Sequence, residues 1–308
     1  MTEATGPDRL RALGDMPEAE AVTKLRGKGY EEAVEEETSP LGAEPSEGLF
    51  PTFRRRRRLY TDTTHAFGHI AAGGAAVLPI RHAGDIQPDA TLRNGRIKIT
   101  LDRLRVAAYP GGGTHRVLFD FAAKNQAQGQ EEQLHFNMTC RVQEGQEAGL
   151  IGYPIFVGLN VGSQGVDLKG STVNVANDDD EKFMKFLESD VFRGGLKLAT
   201  ALQPAIAPLT GLATAVTKSI AGRHRNVEVQ DFFMGLDFDT AVPTRARLRE
   251  GSYVVVQIPQ ADEAVWDWAE WVYKGSLGQV VRADDHKKLV PYNYLVLGVS
   301  RFSESAPG

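Results

Sequence analysis

Apolar and polar residues alternate along most of the chain after residue 59. The clearest stretch is "QLHFNMTCRV", residues 133–142. It puts Leu134, Phe136, Met138, Cys140 and Val142 on one face and His135, Asn137, Thr139 and Arg141 on the other. A period of two sustained this long predicts a half-buried β-strand. "GRIKITLDRLRVAAY", from 95, alternates through Ile97, Ile99 and Leu101 and then resumes in the other phase at Leu104, Val106 and Ala108. That one-residue slip at Asp102–Arg103 predicts a β-bulge. "PGGGT" at 110–114 reads as a turn, and "HRVLFDFAA" aligns Val117, Phe119 and Phe121. Together these predict a β-hairpin over 96–123. "YPIFVGLNVG" and "STVNVAN" add strands, as do "NVEVQDFFMGLDF", "ARLREGSYVVVQIP", "GQVVRA" and "YNYLVLGVSRF" further on. "AVWDWAEWVY" fits either a strand or one short helix, because its alternation stops at Trp271.

Between these two groups of strands the period changes. In "NDDDEKFMKFLESDVFRGG" the residues Phe183, Phe186, Leu187 and Val191 recur at spacings of three and four, an amphipathic helix with aspartates at its positive end. The following stretch carries prolines at 204 and 208 and reaches Gly222 just before basic residues, which predicts a bend and a second helix. The sequence therefore predicts a mainly β fold, an antiparallel β-sandwich over 59–302 with a helical insertion at about 179–222 and a short tail at 303–308.

Charge divides the chain differently. Residues 1–53 hold twelve Asp/Glu and five Lys/Arg, with few apolar positions and a "EEETSPLGAEPSEG" run. Such a segment buries too little to fold alone, so a mostly disordered acidic leader is expected. Five arginines, Arg54, Arg55, Arg56, Arg57 and Arg58, form a joint between leader and body. The chain as a whole has a net charge of −5, which disfavours a nucleic-acid partner, since general polyanion binders are basic. The arginine run suits three other contacts: a protease cutting at an exposed joint, an anionic membrane, or the leader's own acids. Its bland alternative is a solvated linker.

The single cysteine, Cys140, lies on an inward strand phase and reads as a small core residue. With no disulfide possible and no signal-type apolar run at the N-terminus, a cytoplasmic location is expected. No run of about 18 apolar residues suggests an ordinary membrane helix. Residues 194–222 are nearly free of charge, with Lys197 and Lys218 the exceptions up to Ala221. Such a stretch either packs on a sheet or forms a concealed membrane-active hairpin.

No nucleophile elbow, phosphate loop, dinucleotide fingerprint or zinc motif occurs. "HAFGH" spaces His65 and His69 by four, which could share a metal on a helix, but the neighbouring threonines and Gly68 favour a strand. Asp178 and Asp180 in "NDDDE", with Asp237 and Asp239 in "DFD", form an acidic pattern in a β-rich setting. It resembles, locally, the loop aspartates of the calcium-binding C2 family. The resemblance implies a C2-like sandwich and a Ca²⁺ site at these four residues, and calcium is the one candidate cofactor. The bland account is a helix start and a polar strand end. Trp266, Trp268 and Trp271 form an aromatic patch that serves equally as an interaction anchor or as core.

The absence of a convergent polar constellation favours a non-catalytic interaction or effector module over an enzyme. It would engage a protein partner or a membrane surface under control of the leader. One alternative is a membrane-perturbing effector activated by proteolysis near Arg54–Arg58. Another is an enzyme whose dispersed active site a single sequence does not display.

Overall fold

The computed structural model describes residues 60–127, 130–148, 150–175, 226–241 and 245–303. The chain divides into Met1–Arg55 and Arg56–Gly308, and every described residue lies in the second unit. The leader, the arginine run, Asp178, Asp180 and the expected helical insertion lie outside the described residues.

The described chain is mainly β. In order its strands are β1 (Thr63–Ala71), β2 (Val77–Pro79), β3 (Arg81–His82), β4 (Arg96–Arg105), β5 (Thr114–Ala127), β6 (Gln130–Gln143), β7 (Glu147–Ala148), β8 (Tyr153–Asn160) and β9 (Gly165–Asn174). After residue 226 come β10 (Val227–Asp237), β11 (Ala246–Arg247), β12 (Gly251–Pro259), β13 (Trp271–Lys274), β14 (Gln279–Arg282) and β15 (Tyr294–Arg301). They form three sheets: a seven-stranded one ordered β3-β1-β12-β15-β4-β7 with β8 also on β4, a five-stranded one ordered β11-β10-β9-β5-β6, and a three-stranded one ordered β14-β13-β2.

The bulge falls where the phase slip predicts it. Arg103 pairs with Val296 and Leu101 with Leu297, which leaves Asp102 as the extra residue of β4. Because of it Ile97, Ile99, Leu101 and Leu104 all enter the same core. The hairpin expected over 96–123 does not form. β4 pairs with β15, β7 and β8, whereas β5 pairs with β6 along its length and with β9. The three glycines Gly111–Gly113, all at positive φ, instead carry the chain from one large sheet to the other. Alternation says which face of a strand is buried, not which strand lies beside it. Two strands burying matching faces fit a hairpin and an inter-sheet corner equally well.

One core takes side chains from both large sheets: Ile99, Tyr253 and Leu297 from the seven-stranded sheet meet Phe119, Phe136 and Phe232 from the five-stranded one. A second core lies on the opposite face of the seven-stranded sheet, where Val254, Val256 and Val296 meet Val280, Trp268 and Trp271. The central strand β12 is therefore buried on both faces from Tyr253 to Ile258, which accounts for its unbroken "YVVVQI". The segment "AVWDWAEWVY" is neither a full strand nor one helix. It makes two short 3-10 turns, Gln260–Val265 and Trp268–Glu270, before β13. Gly68 on β1 allows this packing, since a Cβ there would collide with Ile80 and the Trp268 ring.

One face is buried without joining either core. Leu118 and Val173 point away from the first core, opposite each other on β5 and β9, and both are 0% exposed. Among the described residues, no helix is long and apolar enough to cross a membrane.

Candidate functional site

The two ends of β10 differ. Along its whole length it pairs with β9, from Val227 opposite Asn174 to Asp237 opposite Gly165. On its other side, among the described residues, only Leu236 and Asp237 are paired, in parallel, with Ala246 and Arg247 of β11. Over Val227–Gly235 no strand among the described residues covers that side. A cleft of about 420 Å³ lies at the β11 end of β10. Its apolar floor includes Phe67 of β1 with Val166, Met234 and Leu236, and its rim carries Gln126, Gln164, Asp167, Phe233, Asp237 and Arg245.

Phe233 stands out on the rim at 61% exposed, while its neighbours Phe232 and Met234 are buried. Strand geometry imposes this. Successive side chains take opposite faces, so a Phe-Phe pair sends one ring inward and the other outward. The inward ring, Phe232, packs on Phe67 and on His65. Gly170 makes room for it, since a Cβ there would meet the Phe232 ring.

The rim carboxylates are engaged. Arg245 Nη1 donates to Asp237 Oδ2 at 2.8 Å, and the Asp239 amide donates to Oδ1 at 3.0 Å. Burial pushes the Asp237 carboxyl up, but those N–H donors and Arg245 outweigh it and hold the pKa below the ordinary value. Asp167 faces Lys124 Nζ at 3.6 Å. Asp239 caps its own turn by accepting from the Ala241 amide at 2.8 Å, and its carbonyl accepts from the Arg247 guanidinium. Asp237 and Asp239 thus organise the β10–β11 loop, and a cation at Asp237 would have to displace Arg245. Among the described residues no three His, Cys, Asp or Glu side chains gather as a metal site. Asp178 and Asp180, the other half of the calcium reading, lie outside them.

The two histidines of "HAFGH" sit on a strand, both facing the first core. Four residues of strand separate them by about 13 Å, too far to share one ion. Burial lowers the His65 pKa to about 4, opposed by Asp231, and its Nε2 is buried with no hydrogen-bond partner. Burial also lowers His69 to about 4, against a 3.3 Å contact of Nε2 with the Glu250 carbonyl and with help from Arg249. Cys140 is half-buried against the first core.

The tryptophans come together, but inside. Trp268 and Trp271 are buried in the second core. Trp266 is half-buried, stacked on Trp271 with centroids 5.6 Å apart and edge-on to Trp268 at 5.3 Å. This placement gives the cluster a packing role and leaves little ring surface for a partner. The arginine run and residues 194–222, on which the protease and membrane readings rest, lie outside the described residues.

Sequence reasoning singled out one residue of the cleft, Asp237, and missed the rest. Phe67, Gln126, Gln164, Asp167 and Arg245 come from distant parts of the chain. The legible signal was "DFFMG", where a second phenylalanine falls on the polar phase of its strand. No protein-family model, curated protein or solved structure matches this chain at a significant level.

Proposed function

We propose that this protein is a non-catalytic interaction module that engages a protein partner at the open edge of β10. The observation that carries this reading is the exposed Phe233 beside a cleft with an apolar floor. Aromatic residues, Phe among them, are enriched at protein interfaces relative to the rest of the surface. The rival enzymatic reading has less support. Both cleft carboxylates face a cation, Asp167 with Lys124 and Asp237 with Arg245, so neither stands ready as a general base.

The same reading takes the two large sheets as an antiparallel β-sandwich, because one core draws on both. It also carries the helical insertion at about 179–222, between the paired strand ends Asn174 and Val227. A C2-like calcium loop draws less support, since Arg245 already neutralises Asp237.

The test is the size of the protein in an extract of its source cells. The full chain should elute in a complex larger than itself, and Phe233→Asp should elute as the free chain with an unchanged melting temperature. Identical elution of the two would remove the reading.

A further inference from the structure

The interaction reading leaves open how a partner is held, and the edge of β10 has features that bear on it. In a sheet, alternate N–H and C=O groups of an edge strand point outward and accept another strand. The register of β10 slips between Glu228 and Gln230, and the Val229 carbonyl at that bulge accepts from Gln257 Nε2 at 2.6 Å. The far end shows that this edge does take a strand, since β11 pairs with Leu236 and Asp237. β11 also stops an added strand from running past Gly235.

The side chains choose among possible strands. On its outward face β10 presents Glu228, Asp231 and Phe233, opposite Val173, Ser171 and Lys169 of β9. Asp231 meets Lys169 Nζ at 3.3 Å, with both side chains at least half exposed. The Glu228 carboxyl is raised first by partial burial and then by Asp231 and Asp120, with Lys169 opposing, so its surroundings are acidic. On the other face, an added strand's side chains would point toward the cleft floor. A second copy of the chain fits poorly. Antiparallel self-pairing about Asp231 puts that carboxylate opposite itself, which destabilises a sheet.

We propose that β10 captures an extended segment of a partner protein as an added strand, with basic side chains facing Glu228 and Asp231 and apolar ones facing the cleft. This mode is strand addition, in which backbone bonds supply affinity and alternate side chains supply specificity. It rests on the reading that the β10 edge is the contact surface.

The probes are three capped, fluorescein-labelled peptides matching the open edge in length: alternating Lys and Val, alternating Glu and Val, and the Lys/Val peptide interrupted by prolines. Their binding to the full chain is followed by anisotropy. The Lys/Val peptide should saturate and slow hydrogen exchange at Val227–Gly235. The Glu/Val peptide should bind roughly tenfold or more weakly, and the proline peptide not at all. Asp231→Lys should reverse the charge preference. Failure of the Lys/Val peptide to saturate, equal binding of the proline peptide, or a preference untouched by Asp231→Lys would each overturn the inference. If the strand peptides fail while Phe233→Asp still breaks the complex in extracts, strand addition falls and the contact surface stands.

Discussion

Two histidines on one strand face the first core, and their burial makes the fold sensitive to acid. His65 and His69 have pKa values lowered to about 4, chiefly by desolvation, against an ordinary value near 6.5. The unfolded chain therefore takes up protons first. Stability is complete above pH 6.5 and declines as pH falls from 6.5 toward 4, by roughly 3 kcal/mol per histidine at most. Urea unfolding at stepped pH should show this decline, and His65→Leu should flatten part of it. An unchanged slope in that variant would mean that His65 does not carry the effect. A neighbouring residue shows the opposite economy. Tyr253 is wholly buried, yet its hydroxyl donates to the Arg247 carbonyl at 2.6 Å and accepts from the Arg249 amide at 2.9 Å. His65 Nε2 lacks such a partner, which is why it, rather than Tyr253, is the weak point.

Among the elements, the five-stranded sheet raises the sharpest question. Its inner face belongs to the first core, while Leu118 and Val173 on the outer face are buried as well. Leu118→Ala should therefore cost about 2–5 kcal/mol in urea unfolding, as truncation of a core leucine does. A cost under about 0.5 kcal/mol, as at an exposed site, would contradict this burial. Elements were also where the sequence was most readable. The strands around Ile97–Leu101 and Leu134–Val142 and the bulge at Asp102 followed from periodicity alone. Their neighbours did not. β4 was paired by pattern with β5, but the structure gives it β15, because the two candidate arrangements bury the same side chains.

At the scale of the whole molecule, the central seven-stranded sheet is packed on both faces, with one core shared with the five-stranded sheet and one with the three-stranded sheet. That arrangement absorbs most of the aromatic residues that looked available for binding. Trp268 and Trp271 fill the second core, and an alternation that stops at Trp271 gave no sign that a third sheet would cover them. The candidate site was hidden for the converse reason. Phe67, Gln126, Val166 and Arg245 converge only after strands from two sheets have assembled, and of the residues that the sequence singles out only Asp237 lies beside them. A protein partner on the edge of β10 is tested most directly by a photo-crosslinking residue placed at Phe233 in the source cells, compared with the same residue at Ile151, which is 79% exposed elsewhere. Position 233 should give one discrete adduct, competed away by the Lys/Val strand peptide, and position 151 none. No adduct at 233, or the same adducts at both positions, would contradict it.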